Sequence, residues 1–196
     1  MTQRSPFARR VRMAMLRNQI AHELTNVEPF KPSEEFLQAN PLGLVPVLIL
    51  PNGDQIADSA AILEFLNETH GGIWPVDPQA RYRSRQLSTL AEGLTLCAVL
   101  HFQETMKEST SRTWQDRQRE KIERTLRVLE REHANPLFYQ ANGAELAQPG
   151  LDLGAALEYL EFRLPDFKWR EHAPKLTSLY DKFTRTPGYS ETRPSV

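Results

Sequence analysis

A single cysteine, Cys97, in a chain of 196 residues excludes an internal disulfide and fits a reducing compartment. No apolar run approaches the ~20 residues that a bilayer-spanning helix needs. The polar, basic N-terminus is not followed by the apolar stretch of a secretory signal. The histidines His22, His70, His101, His133 and His172 are scattered, with no metal-ligand spacing among themselves or toward Cys97. There is no Gly-rich phosphate loop and no Gly-x-Ser-x-Gly elbow. An excess of one charge is lacking too. The net charge is −1 and the pI about 6.5, so no global field draws the chain to nucleic acid. A soluble, cytoplasmic protein is expected, with no metal and no nucleic-acid or membrane partner. The local cluster Arg9, Arg10, Arg12 and Arg17 reads as a solvated helix face.

What is present begins with Asn40-Pro41-Leu42-Gly43-Leu44-Val45-Pro46-Val47-Leu48, followed shortly by Asp58-Ser59-Ala60-Ala61-Ile62. A proline inside a β-like run cannot donate to a sheet ladder, so the run belongs at an edge. That leaves the Val45 backbone free to pair with an extended ligand. The Asp-Ser helix start offers N–H groups and a hydroxyl to a carboxylate. Together these features suggest a site for an extended, anionic peptide.

Around this segment the pattern predicts a helix from Pro6 to about Asn18, with Ala8, Val11 and Met15 inward. A short strand is predicted at about Glu23 to Val27, then an irregular stretch through Lys31-Pro32-Ser33. A hairpin follows, with strands at Val45 to Leu50 and Gln55 to Ala57 about the turn Pro51-Asn52-Gly53-Asp54. Asp58 caps a helix that carries Ile62, Leu63, Phe65 and Leu66 and stops at Gly71-Gly72. Beyond a linker at Ile73 to Pro78 the composition turns helical. Helices are expected at Ala80 to about Lys107, from Thr113 toward His133, at Leu151 to Phe162 and at about Pro174 to Thr184. The domains are set at 1–72 (α/β) and 79–196 (all-α).

Four segments resemble the glutathione S-transferases, and the match runs nearly end to end. They are Ser5-Pro6-Phe7-Ala8-Arg9-Arg10-Val11-Arg12, Asn40 to Leu48, Asp58 to Leu63, and Leu151-Asp152-Leu153-Gly154-Ala155-Ala156-Leu157. Phe162-Arg163, Trp169-Arg170 and Pro187-Gly188-Tyr189 look like a bacterial branch of that family. The resemblance implies a thioredoxin-like N-terminal domain that binds glutathione as co-substrate. It further implies a helical C-terminal domain shaping an electrophile pocket, and a homodimer. Leu94, Cys97 and His101 are candidates for that pocket, against the plainer reading that they are core or interface.

By the same resemblance, Ser5 would donate a hydrogen bond to the glutathione sulfur and stabilise its thiolate. On its own it reads as an N-cap, and only the other motifs shift the balance toward catalysis. In the related omega class this position carries cysteine within Cys-Pro-Phe-Ala. Serine cannot form a mixed disulfide, which favours conjugation over thiol–disulfide reduction. Pro46 would be the family's cis proline, presenting Val45 to the cysteinyl backbone of the ligand. Ser59 would take the γ-glutamyl carboxylate and Asp58 the ammonium. Phe7, Lys31 and Leu44 complete the expected glutathione contacts. Lys31 is either the partner of the glycyl carboxylate or a solvent-facing lysine, and Leu44 stands where relatives place a Lys or Gln donor.

Two departures accompany the match. Pro149 occupies the position, three residues before Asp152, where the family usually has a capping Ser or Thr. Only Met1 to Arg4 precede Ser5, where relatives place a central strand, so the first strand is expected to be short or missing. The functions left open are a transferase acting on small electrophiles, a non-catalytic glutathione-binding or protein-interaction module, and a glutathione-dependent isomerase or dehalogenase.

Overall fold

The computed structural model describes residues 4–28 and 30–194, so the expected first strand, which would precede Ser5, lies largely outside the described residues. The chain divides into two compact units, Met1–Trp74 with Pro187–Val196, and Pro75–Thr186. The residues from Pro187 onward therefore join the first unit rather than closing the second.

In the first unit, helix α1 (Pro6–Arg17) starts where Ser5 accepts the Ala8 N–H at 3.2 Å, and Pro6 supplies a first turn that needs no donor. Helix α2 (Glu34–Ala39) follows, then β1 (Val47–Ile49), β2 (Gln55–Ala57) and α3 (Ser59–His70). The strands pair antiparallel, Val47 opposite Ala57 and Ile49 opposite Gln55. Gly53, at φ 88°, turns the hairpin. Val11, Ala14, Met15, Ile62, Leu63, Leu66, Ile73 and Trp74 form one buried cluster, with Leu48 and Ile56 of the hairpin packed against it. The short helix α9 (Tyr189–Thr192) packs on α1.

Several local expectations change. Residues Glu23 to Val27 form no strand and are mostly exposed; no strand lies beside them among the described residues to take up their N–H and C=O groups. Helix α2 was not expected, although Ser33 caps it by accepting the Phe36 N–H, a legible signal followed by Glu34 and Glu35. The arginines of α1 are the larger correction. Arg9, Arg10 and Arg12 are buried, not a solvated face. Arg9 donates from Nε to Thr192 Oγ1 at 3.2 Å and lies over the Tyr189 ring. Arg12 donates to the Glu191 carbonyl at 2.7 Å. Their acceptors stand about 180 residues away in sequence, beyond the reach of any local pattern.

The second unit is built on α4 (Pro78–Thr105), α5 (Arg112–Arg131) and α6 (Gln148–Arg163), with α7 (Trp169–His172), a 3₁₀ turn at Pro174–Leu176 and α8 (Thr177–Phe183). The cap of α5 is Ser111, not a residue near Thr113. Helix α6 is buried from Gln148 to Leu160, as its apolar surround predicts. It has no side-chain cap, which answers the Pro149 anomaly. Its start is pinned instead by the Ala147 N–H on the Phe138 carbonyl at 2.9 Å. Asp152 adds a buried hub, accepting from Gln148 Nε2 at 2.8 Å and from the Ser88 hydroxyl of α4. Glu161 similarly gathers Trp169 Nε1, the Tyr180 hydroxyl and Arg170. No helix among the described residues is long and apolar enough to cross a membrane.

Gly154 lies where α6 meets α8: a Cβ there would fall 2.2 Å from the Phe183 ring, and Phe183 is fully buried. Gly154→Ala gains ~1 kcal/mol of helix propensity, yet overpacking costs ~1–3 kcal/mol. A net loss of stability is expected in urea titration, and an unchanged or raised midpoint would mean that Phe183 yields freely.

Candidate functional site

Two helix starts and one half-buried cis peptide bond of the first unit carry the candidate site. Ser5 is half-buried at the N-terminus of α1, where the unpaired first-turn N–H groups concentrate positive potential. Its oxygen accepts from Ala8, and its own proton meets no acceptor among the described residues. Capping and donation to a ligand are therefore compatible in one hydroxyl. Phe7, the second residue of the helix, is half-buried.

The Val45–Pro46 bond is cis. Neither the N–H nor the C=O of Val45 is hydrogen-bonded among the described residues. The segment ahead of it is shaped by Asn40, which is buried. Its Nδ2 donates to the Leu44 carbonyl at 2.8 Å, and its Oδ1 accepts the Leu42 N–H at 3.1 Å. Sequence reasoning placed Asn40 in the motif but gave it no role; an Asx-type turn two residues before Leu42 was the available signal. Leu44 itself is 61% exposed and offers no side-chain donor.

Asp58 and Ser59 open α3. Asp58 accepts the Ala60 N–H at 2.6 Å and sits at φ 80°, which a non-glycine residue rarely adopts. Such a conformation costs on the order of 1–3 kcal/mol and concentrates at ligand sites. It carries the chain from β2 into α3 with Ser59 turned inward, 1% exposed. The Ser59 oxygen accepts from Arg10 Nη1 at 3.3 Å. Arg10 lies five residues beyond Ser5, about 7.5 Å of helix rise, so this bond ties the first half of α1 to the first turn of α3. Arg10 was missed because its partner is 49 residues away. Lys31 is exposed, with its side chain unbonded among the described residues.

The scan of known families matches residues 4–69 to "Glutathione S-transferase, N-terminal domain". A glutathione transferase family member from Pseudomonas fluorescens Pf-5, solved with bound glutathione, is 33% identical. It superposes with a TM-score of 0.87 over 100% of this chain and 98% of its own. The chain belongs to the glutathione S-transferase family. A glutathione S-transferase from Methylobacterium radiotolerans, in complex with glutathione sulfonate, is 29% identical with a TM-score of 0.89, covering 99% and 92%. The uncharacterized GST-like protein YibF of Escherichia coli (strain K12) is 29% identical over 97% of this chain and 95% of its own length. The glutathione S-transferase omega-1 of Mus musculus aligns at 35% identity over 41% of the chain and 34% of its own. The thioredoxin-like N-terminal domain and helical body of the family are thus the fold of this protein.

The second unit holds the other candidates on α4. Leu94 is fully buried, whereas Cys97 and His101 are half-buried. His101 Nδ1 hydrogen-bonds the Gln115 carbonyl at 3.2 Å, which fixes its ring toward α5. No group of three or more His, Cys, Asp or Glu residues able to hold a metal occurs among the described residues. Burial pushes the Cys97 thiol above its usual range, with Lys121 and Arg124 opposing more weakly. Only the thiolate alkylates, so iodoacetamide labelling of Cys97 should be slower than that of a free thiol at pH 8. Labelling as fast as free cysteine would contradict that environment.

Proposed function

We propose that this protein binds glutathione on the first unit and activates its thiol for attack on small electrophiles. One observation carries the reading. The hydroxyls of Ser5 and Ser59, each at a helix start, accept from protein donors and keep their protons for a ligand, beside an unengaged Val45 peptide. An extended peptide would pair with Val45 N–H and C=O, set its γ-glutamyl carboxylate at Ser59 and its ammonium at Asp58. Phe7 would pack against the cysteinyl group, and Lys31 would meet the glycyl carboxylate in place of a donor at Leu44. Membership of the family and the glutathione-bound relatives support this assignment.

In the chemical step the Ser5 hydroxyl donates to the sulfur, helped by the N-terminal field of α1. Lowering the thiol pKa by about two units corresponds to ~2.7 kcal/mol of preference for the thiolate. The thiol proton leaves to solvent. The sulfur lone pair then forms a bond to the electrophilic carbon, as the displaced group departs with its electron pair or the charge moves into the acceptor. A cytoplasmic homodimer belongs to the same reading. Exposed Phe30, Leu42 and Ile49 on the first unit suit a subunit contact.

The lack of a side-chain donor at Leu44 favours, as a second reading, a protein that binds glutathione without turnover. An isomerase or dehalogenase would use the same thiolate and is separated by screening those substrates. Ser5→Ala is expected to lower kcat with a generic aryl halide by about 10–100-fold, the range of one lost oxyanion-type donor or less. Glutathione affinity should change under about threefold, and the pH midpoint of the rate should rise because the bound thiol loses its stabilising bond. Unaltered kcat and pH midpoint would remove Ser5 from the mechanism. Glutathione binding by the wild type without any turnover would favour the second reading.

A further inference from the structure

We propose that Arg10 is a positioning residue: it fixes the Ser59 hydroxyl as an outward donor and so makes the start of α3 select a carboxylate over an uncharged amide. This rests on the reading that the γ-glutamyl carboxylate of glutathione lies at Ser59.

A serine hydroxyl can donate once and accept twice, so by itself it greets a carboxylate and an amide alike. A guanidinium can only donate. When Arg10 Nη1 points at Ser59 Oγ at 3.3 Å, the serine must accept, and its proton is left to face elsewhere. Nothing else claims that proton. Ser59 is the first residue of α3, so no helical carbonyl stands four positions behind it, and no other acceptor takes it among the described residues. Both groups are buried, Arg10 at 4% and Ser59 at 1% exposure, which shields their bond from competing water. A cation behind the hydroxyl also polarises it, strengthening donation toward an anion. The Ala60 N–H beside it is held by the Asp58 side chain. The hydroxyl is therefore a principal side-chain donor at this helix start, and Arg10 sets its direction. Arginine suits the task because its planar fork holds a donor in a fixed direction that the flexible lysine stem does not.

The test measures calorimetric affinity for two ligands, glutathione and its analogue with the γ-glutamyl α-carboxylate converted to a carboxamide. The proteins are the wild type, Arg10→Gln, Arg10→Lys, Ser59→Ala and the double variant Arg10→Gln/Ser59→Ala. The wild type should prefer glutathione. Arg10→Gln should weaken glutathione binding about tenfold, the size of one lost charge-assisted contact, with the amide nearly unaffected. Selectivity then falls. In the Ser59→Ala background the same change should cost little more, because the two residues act as one unit. Arg10→Lys should lose at least about threefold in selectivity, and it carries the test if the glutamine variant does not fold. Wild-type selectivity in the lysine variant would overturn the proposal. So would equal weakening of both ligands by Arg10→Gln, or additive effects with Ser59→Ala. Absence of glutathione binding by the wild type would instead overturn the functional reading itself.

Discussion

The constraint on which the first unit depends is the burial of α1. From Ala8 to Met15 every residue of this helix is buried, three arginines included. Removing a guanidinium from water is expensive unless its donors are met. The fold meets many of them with acceptors from both sides, the Ser59 hydroxyl of α3 and the Thr192 hydroxyl and two backbone carbonyls of α9, while Arg12 Nε and Nη1 stay buried without a partner among the described residues. Once α1 is held this way, its first turn has a fixed place, and Ser5 with it. The apolar cluster around Val11, Ala14 and Met15 then closes against α3. The polar contacts give α1 its orientation and the apolar ones give it stability.

The site follows one economy of hydrogen bonding. Ser5 and Ser59 each take a donor from the protein on an oxygen lone pair, from a helix N–H in one case and a guanidinium in the other. What each then has to offer is its proton. On the proposed reading, two hydroxyls made into donors at two positive helix ends would take a carboxylate at one and a thiolate at the other.

Much of this was legible in the sequence where the cause is local. Ser5-Pro6 announces a capped helix, Asn52-Gly53 a hairpin turn, and Asp58-Ser59 a second helix start, because caps and turns are decided within a few residues. The Val-Pro step was readable for the same reason. Three things were not. The arginines looked solvated because a helix-face pattern cannot see Thr192 or Glu191 across the chain. The strand at Glu23 to Val27 had a plausible composition, but a strand exists only with a neighbour. Asp152 ties α6 to α4 through Ser88, 64 residues earlier, a bond no motif encodes. Long-range polar pairing is where local reasoning ended, and Arg10 lies there.

The position of α9 has a consequence for the order of events during synthesis. The first unit is made of residues up to Trp74 and the residues from Pro187 onward. The hydroxyl and carbonyls that receive Arg9 and Arg12 belong to residues 189–192, which leave the ribosome after the whole of Pro75–Thr186. The N-terminal part of the chain emerges first but is completed only after the helical unit of Pro75–Thr186 has had time to fold as a unit of its own. A properly seated α1 therefore waits on a segment translated after the whole helical unit.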